Sequence, residues 1–357
     1  MNYHLISGGC GFVGRNMAKH LLNTTTDRII IVDDLSVGLP PGEWPISGGE
    51  TFMGGSPVRI DGKMEFWGEE QRLLFYRGDF REFLRGMLGS ETWLKDEFGL
   101  IDFEKFADVF HYAAIVGGRA KIDGDPMMVA LDLSIDAEFF YWAVRHMPTR
   151  VLFPSSSAAY PVDLQAEDGF VALKESDIDF ENGQLGQPDM TYGWSKLTGE
   201  YLARIAASHY NLHVACVRPF SGFGEDQDLS YPIPAIAARA ARKENPFEVW
   251  GTGKQGRDFV HIDDCVDAMM FALENIKDGS AMNIGSGKIT SFLEIIDLFT
   301  EFAGYKPPIK QLLDKPVGVH ARHANMDYVF NSLGWKPKIS LREGMRRVYD
   351  AAVERYT

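Results

Sequence analysis

A glycine-spaced loop near the start of the chain constrains the fold more than any other feature. The stretch LISGGCGFVG, residues 5–14, places Gly8, Gly11 and Gly14 three residues apart, directly after an apolar run. Apolar residues then recur every fourth position over 13–21, which predicts a helix with one buried face. In a strand–loop–helix unit the three glycines permit a tight turn, close approach of a pyrophosphate and close helix packing. We therefore predict that the loop cradles phosphate at a helix N-terminus.

An acid follows the second apolar run at the distance that a dinucleotide fold requires. The stretch IIIVDDLS places Asp33 at the end of that run, about 20 residues beyond the loop. A carboxylate there binds the adenosine ribose, and it would repel the additional phosphate of NADP. NAD is therefore the predicted cofactor.

Apolar, β-rich runs alternate with helical patterns through the first two thirds of the chain. The runs span 3–7, 28–34, 72–79, 108–114, 150–157 and 212–219. Short continuous apolar runs are typical of strands buried on both faces of a parallel sheet. The alternation predicts an α/β fold: a Rossmann-type, doubly wound parallel sheet. Beyond residue 220 helical stretches near 233–243, 291–303 and 341–355 predict a smaller, mixed C-terminal domain. Residues 37–71, rich in glycine and proline, are predicted to be an insertion, either at the surface or as a lid near the cofactor.

A tyrosine and a lysine share one face of a predicted helix. In DMTYGWSKLTGEYLARIAA, residues 189–207, Tyr192 and Lys196 are four positions apart. A tyrosine with its ordinary pKa of about 10 is a poor base at neutral pH, and a nearby ammonium lowers that pKa. The stretch FPSSSAAYP, residues 153–161, ends the fifth predicted strand, where a serine hydroxyl could bind a sugar hydroxyl beside Tyr192.

Charge and composition argue against several other classes of protein. The net charge of −14 over 357 residues argues against general binding of nucleic acid or of an anionic membrane. The three cysteines fit neither a zinc site nor a CxxC pair, and no histidine–carboxylate cluster has ligand spacing, so no metal is predicted. Sparse cysteines, no signal-peptide pattern and no apolar run of membrane-spanning length predict a cytoplasmic protein.

Taken together and in order, the motifs resemble those of extended short-chain dehydrogenases/reductases, in the NAD-dependent nucleotide-sugar epimerase/dehydratase family. The motifs that carry the resemblance are GGCGFVG, VDDLS, YRGDFRE, HYAA, SSSAAYP, YGWSK, VRPFSGFG, WGTGKQGRDFVHIDD, MNIGSG and LGWKP. The segments AAIVGG (113–118), SSSAAYP and FEVWGTG (247–253) most resemble the GDP-mannose 3,5-epimerase and GDP-fucose synthase branch.

The resemblance implies a role for individual residues. The implied catalytic residues are Ser156, Tyr192 and Lys196, with Tyr192 as the base. The implied cofactor-binding residues are Gly8, Gly11, Phe12, Val13, Gly14, Asp33, Asp79, Phe80, Ala113, Tyr192 and Lys196. The implied substrate-binding residues are Ser156, Ser157, Ser221, Trp250, Arg257 and Arg322. The two arginines would hold a diphosphate, while Ser221 replaces the asparagine usual in the family.

The resemblance also implies an organisation and a ligand. An NAD-binding Rossmann domain would comprise 1–220 and 257–285, and a nucleotide-sugar-binding domain 221–256 and 286–357. The substrate would be a nucleotide-diphosphate sugar, with GDP or UDP as the nucleotide. The family implies a homodimer formed through two helices beside the sheet.

Several reactions stay open. The 4,6-dehydratases of the family carry an Asp–Glu pair where this chain has Ser157 and Ala158. The 3,5-epimerases place a cysteine at position 158 and a partner lysine near Pro232. Elimination favours epimerisation at C4 through a transient 4-keto sugar, which needs only NAD and the three catalytic residues. A nucleotide-sugar dehydrogenase or ketoreductase, a GDP-sugar 3,5-epimerase-like enzyme and a non-catalytic NAD-binding sensor are the alternatives.

Overall fold

The computed structural model describes residues 2–46, 50–115 and 119–357, with only the backbone described for 119–121. The strands are β1 (Tyr3–Ser7), β2 (Arg28–Asp33), β3 (Arg59–Asp61), β4 (Met64–Trp67), β5 (Leu73–Arg77), β6 (Phe106–His111), β7 (Arg150–Pro154), β8 (Val214–Pro219), β9 (Ser221–Phe223), β10 (Phe247–Trp250), β11 (Gly256–Arg257), β12 (Phe259–His261), β13 (Asp278–Ile284), β14 (Thr290–Ser291), β15 (Ile309–Leu312) and β16 (Ala321–Arg322). The α-helices are α1 (Phe12–Thr24), α2 (Phe80–Gly89), α3 (Trp93–Phe98), α4 (Arg119–Gly124), α5 (Pro126–Val129), α6 (Asp132–His146), α7 (Met190–Tyr210), α8 (Pro232–Ala241), α9 (Ile262–Asn275), α10 (Phe292–Phe302) and α11 (Leu341–Tyr356).

The main sheet has the strand order β13-β8-β7-β6-β1-β2-β5-β4-β3. Its strands are parallel from β13 to β5, and β4 and β3 continue the sheet antiparallel. The chain winds outward in both directions from β1, so the strand order reverses between β1 and β6. Ligands of open α/β sheets bind at the carboxyl ends of the strands beside such a reversal. The predicted Rossmann-type fold class is confirmed.

Alternating side chains bury both faces of the sheet. On β2, Ile29 and Ile31 enter one core with α1 and α9, while Ile30 and Val32 enter another with α2, α6 and α7. All four side chains are fully buried, which explains why the strand reads as a continuous apolar run. A third core lies between α8, α10 and α11 in the C-terminal part of the chain. The division into two domains stays a prediction.

The segment predicted as an insertion is partly built into the sheet. Its β3–β4 hairpin pairs with β5 and extends the main sheet by two strands. Trp44 is fully buried and Trp67 nearly so, and both join the core beneath α1. The many glycines and prolines of this segment obscured the pattern of the hairpin and of the two buried tryptophans. Residues 47–49 lie outside the described part of the chain.

Two strand predictions need correction. The strand predicted over 150–157 ends at Pro154, because Ser156 accepts the Ala158 N–H and starts a short 3₁₀ turn. The strand predicted over 108–114 spans Phe106–His111. Among the described helices, none combines the length and the apolar character needed to cross a membrane.

Candidate active site

The predicted cofactor residues lie at one edge of the sheet. Four of them mark the carboxyl ends of parallel strands: β1 leads into Gly8, β2 ends at Asp33, β5 is followed by Asp79 and β6 by Ala113. Because parallel strands end at the same edge, residues far apart in sequence come together there.

The glycine loop leaves open backbone where side chains would fill the cradle. Gly8 has a φ of +64°, and a Cβ there would lie 2.7 Å from Ala113 N. A Cβ at Gly14 would lie 2.3 Å from the Gly8 carbonyl oxygen. Gly11 precedes α1, and Phe12, Val13 and Gly14 form the first turn of the helix, whose N–H groups have no partner within the helix. The loop therefore fits the pyrophosphate of a dinucleotide.

Two carboxylates lie at the same edge of the sheet as the loop. Asp33 accepts hydrogen bonds from Cys10 N (2.9 Å) and Leu35 N (2.8 Å), so its carboxylate is fixed against the glycine loop. Burial raises the pKa of Asp33, and those backbone N–H groups oppose the rise. Asp79 caps α2 by accepting the Arg81 N–H, and the Arg81 guanidinium lowers the pKa of Asp79. Phe80 follows it and is buried.

The three predicted catalytic residues come together. Tyr192 and Lys196 lie on successive turns of α7, with Lys196 Nζ 5.9 Å from the centroid of the Tyr192 ring. Ser156 follows β7, and its hydroxyl acts on the Tyr192 side chain through a hydrogen bond. Lys196 is buried, with 4% of its surface exposed.

Burial outweighs the lysine in setting the pKa of Tyr192. That pKa is raised above its ordinary value by burial, whereas Lys196 and Ser156 lower it. The sequence predicted the lowering by Lys196 but not the larger opposing effect of the buried site. For Lys196 itself, burial lowers the pKa, but Asp136, Tyr192 and Asp132 together outweigh burial and raise it.

Sequence reasoning missed a buried polar cluster beside this lysine. Asp136 accepts a hydrogen bond from His111 Nε2 (3.0 Å), and His111 Nδ1 lies 2.7 Å from Ser7 Oγ. The Asp136 carboxylate accepts, so His111 Nε2 carries the proton; in the neutral ring Nδ1 then accepts the Ser7 hydroxyl proton, while Ser7 Oγ accepts the Ala113 N–H at 3.1 Å. Asp132 accepts the Ile115 N–H at 2.5 Å. The signal in the sequence was a pair of aspartates four residues apart in LDLSIDAEFFYWAV, which is mostly apolar.

The Ser7–His111–Asp136 arrangement does not build a nucleophile. Ser7 is fully buried and His111 is 1% exposed. Ser7 also donates to Nδ1 rather than Nε2, and its oxygen already accepts a backbone N–H. A substrate cannot reach this hydroxyl, so the cluster acts on neighbouring groups inside the protein.

The two predicted diphosphate-binding arginines stand side by side. Arg257 on β11 pairs directly with Arg322 on β16. Arg257 donates to the Gly256 carbonyl oxygen at 2.7 Å. Arg322 donates to Asp189 Oδ2 at 2.8 Å and to Gln165 at 2.5 Å, so part of its guanidinium is held inside the protein. Asp189 directly precedes α7, which links this arginine to the catalytic helix.

The remaining predicted substrate residues differ in exposure. Ser157 is buried in the 3₁₀ turn, whereas Trp250 is 46% exposed at the end of β10. Ser221 begins β9 and is partly buried. Ala158 is buried, and its carbonyl oxygen accepts the Asp189 N–H, so position 158 offers no side-chain acid or base. Residues 116–118 of the AAIVGG segment lie outside the described residues.

An ion pair joins the start of α1, next to the glycine loop, to the chain beyond β9. The sequence did not predict this pair. Arg15 Nε donates to Asp226 Oδ2 at 2.7 Å, and both side chains are buried. Arg15 follows the third glycine of the loop, so this pair fixes the start of α1. Within the described residues, no group of three or more histidine, cysteine or acidic side chains is arranged to hold a metal ion.

Comparison with known families identifies one matching model. The model of the NAD dependent epimerase/dehydratase family matches residues 4–285. GDP-mannose 3,5-epimerase of Arabidopsis thaliana is 29% identical over 279 residues, which cover 73% of this chain and 71% of that protein. A putative UDP-glucose 4-epimerase of Methanocaldococcus jannaschii is 26% identical over 348 residues, 96% of either chain.

Solved structures share the fold over nearly the whole chain. UDP-glucose 4-epimerase of Thermotoga maritima, solved with UDP-glucose, has a TM-score of 0.73 at 22% identity, with 98% of each chain covered. MoeE5, solved with UDP-glucose and NAD, has a TM-score of 0.72 at 25% identity, with 100% of each chain covered.

Proposed function

Because this chain belongs to the NAD-dependent epimerase/dehydratase family, we propose that it epimerises a nucleotide-diphosphate sugar at C4. The family membership that the motifs predicted is confirmed, and with it NAD as the cofactor. The observation that carries the proposal is the convergence of Ser156, Tyr192 and Lys196 next to Ala158. This set supplies one base with its two supporting groups and no second acid or base, which is all that inversion at C4 requires.

Each catalytic residue has a separate task in this proposal. The Tyr192 phenolate removes the proton from the 4-hydroxyl of the sugar and later returns it to the same oxygen. The Lys196 ammonium stabilises the phenolate, and Ser156 hydrogen-bonds the reacting hydroxyl. NAD would be held by the glycine loop and Asp33, and it would supply reversible hydride transfer at C4, with return to the opposite face of the sugar. The net change is inversion at C4.

Position 158 separates this proposal from the related reactions. Eliminating water would need an acid pair at Ser157 and Ala158, and these positions carry none. Epimerisation beside the ketone would need a group that exchanges a carbon-bound proton, and an alanine methyl cannot do so. The resemblance to GDP-mannose 3,5-epimerase therefore supports the substrate class more than the reaction.

The paired arginines support a nucleotide diphosphate as the substrate handle. We assign the diphosphate to Arg257 and Arg322, since two guanidinium groups on adjacent strands match its charge and geometry. Relatives named for GDP-sugars and for UDP-sugars both match this chain. The proposal accordingly covers both nucleotides.

The exposed faces of α6 and α7 support the predicted homodimer. Leu133 and Tyr141 on α6, and Trp194 and Tyr201 on α7, are each at least 41% exposed although they are large and apolar or aromatic. Two packed helices with such faces offer a self-complementary surface to a second copy. Sedimentation velocity should show a dimer that dissociates when Trp194 is replaced by glutamate; a wild-type monomer would contradict this assignment.

Substrate conversion without added cofactor tests the proposed reaction. Purified protein would be incubated with UDP-, GDP-, CDP- and dTDP-sugars, and the products resolved by chromatography and NMR. Interconversion of C4 epimers at constant mass is expected. Conversion only when NAD(H) is added would show a dehydrogenase or ketoreductase, and loss of water would show a dehydratase.

A further inference from the structure

One buried acidic residue next to the catalytic lysine has no task in the chemistry above. Asp136 is 1% exposed and lies on α6, a helix that packs against α7. Its Oδ1 accepts the His111 Nε2–H, but its Oδ2 is buried and has no hydrogen-bond partner among the described residues. An unpartnered carboxylate oxygen in a protein interior is costly unless a charge nearby compensates it. The cation that compensates this carboxylate therefore indicates the role of Asp136.

The geometry places Lys196 as that charge. Lys196 Nζ lies 5.4 Å from the centroid of the Phe153 ring, and the ring of His111 lies 6.1 Å from the same centroid. The lysine and the Asp136–His111 pair therefore meet around one aromatic side chain at the end of β7. Both side chains are buried, so the attraction between ammonium and carboxylate is weakly screened.

Asp132 and Asp136, one helical turn apart on α6, are both buried, and both act on the buried Lys196. Burial lowers the pKa of His111, so this ring is neutral and adds no positive charge. Like charges four residues apart destabilise a helix unless a cation lies beside them. Among the described side chains, those that act on Lys196 from the elements around it are Asp132, Asp136, His111 and Tyr192.

We propose that Asp136 is a positioning residue of the catalytic centre, and that its carboxylate holds Lys196 as an ammonium while Tyr192 ionises. The proposal rests on the proposed function, in which Tyr192 is the base. His111 in turn holds Asp136, since it donates a hydrogen bond to Oδ1 and is itself fixed by Ser7.

The order of ionisation explains why such a residue is needed. Ordinary tyrosine and lysine pKa values are close, about 10 and about 10.4. Burial raises the pKa of Tyr192 and by itself lowers that of Lys196, so the lysine would lose its proton first. The tyrosine would then stay protonated beside a neutral amine, and the base would be lost. A neighbouring anion reverses this order because it stabilises the ammonium.

The test is a titration of Tyr192 that needs no turnover. Ultraviolet absorbance of tyrosinate is followed against pH in NAD-loaded protein, and the spectrum of the matching Tyr192→Phe variant is subtracted. In Asp136→Asn the pKa of Tyr192 should rise by about 1 unit or more, because the lysine no longer stays charged. In the Lys196→Met background the same substitution should lower that pKa, since only repulsion between the carboxylate and the phenolate is then removed.

This reversal of sign separates the proposal from other roles for Asp136. A purely structural role predicts no shift, and a direct effect of the carboxylate on Tyr192 predicts a fall in both backgrounds; either result overturns the proposal. Asp108→Asn is the matched control, because Asp108 is a buried aspartate paired with a histidine at the opposite end of β6. It should leave the titration unchanged.

A second variant covers the case in which Asp136→Asn does not fold. Asp136→Ser removes the same charge with a smaller side chain, and it should raise the pKa of Tyr192 as Asp136→Asn does. An unchanged pKa of Tyr192 in this variant would overturn the proposal. Failure of every sugar in the conversion assay would instead refute the proposed reaction, while both spectroscopic results would still be readable.

Discussion

The two ends of β6 each carry a buried aspartate–histidine contact, and they are built differently. At the amino end, Asp108 receives two hydrogen bonds from Arg150, at 2.7 and 3.0 Å, and His4 lies 3.2 Å away. At the carboxyl end, Asp136 receives one bond from His111, and its second oxygen has no partner among the described residues. At the amino end both carboxylate oxygens accept from the Arg150 guanidinium, whereas at the carboxyl end one oxygen of Asp136 has no such donor among the described residues. A sheet of this kind thus stabilises itself at one edge and carries out chemistry at the other.

The largest effect should come from the carboxyl edge. Replacing Tyr192 with phenylalanine removes the base and should lower kcat by at least about 10²-fold. The free energy of unfolding should change little, because the aromatic ring stays in place. Steady-state kinetics and urea unfolding on the same preparation check both statements. Tyr201→Phe, at an exposed tyrosine of the same helix, should retain full activity; equal loss in both variants would contradict the role of Tyr192.

A substitution in the glycine loop should weaken the binding of NAD. In Gly14→Ala the new Cβ would lie 2.3 Å from the Gly8 carbonyl oxygen, so backbone must move. Overpacking of this kind costs about 1–3 kcal/mol, and an equal loss of binding energy would weaken NAD affinity about 5- to 150-fold. Calorimetric titration of the cofactor-free protein with NAD measures the change. Gly89→Ala, where no atom lies within 4 Å of the new Cβ, should bind NAD as wild type does.

A substitution at the amino edge of the sheet should lower the free energy of unfolding and leave catalysis unchanged. Asp108→Asn weakens charged hydrogen bonds and should lower the free energy of unfolding by about 1–3 kcal/mol at neutral pH. The Arg150 side chain is 30% exposed and can be hydrated, which limits the loss. Activity per folded molecule should match wild type. A fall in kcat comparable to that of Tyr192→Phe would show that the two edges are not separate.

The pairing of Asp108 with Arg150 also determines how the free energy of unfolding changes with pH. Burial raises the pKa of Asp108, but His4 and Arg150 together outweigh burial and hold this pKa below the ordinary value. The stabilisation is therefore fully present above the unfolded-state pKa, near about 4, and is lost as pH falls through the lower folded-state value. The stability advantage of wild type over Asp108→Asn should shrink on acidification. An advantage that grows at low pH would contradict the pairing.

The sequence predicted the features that repeat along the chain or follow strand ends. Continuous apolar runs indicated the parallel strands, and the glycine spacing indicated the loop whose crowding at Gly14 the structure shows. The spacing of Tyr192 and Lys196 indicated a shared helical face. These predictions succeeded because each depends on local periodicity.

The features that the sequence did not predict depend on contacts between distant elements. Asp136 lies 25 residues from His111, and Asp226 lies 211 residues from Arg15. The hairpin within 37–71 was concealed by its glycines and prolines, although Trp44 and Trp67 anchor it in the core. The pKa of Tyr192 could not be predicted either, because burial is a property of the folded molecule.

Product analysis after incubation with nucleotide sugars and no added cofactor tests epimerisation at C4 directly. One sugar and its C4 epimer should interconvert at constant mass, and Tyr192→Phe should abolish the exchange. If a sugar is converted only with added NAD(H), or if its product is lighter by one water, the C4 epimerase assignment is wrong.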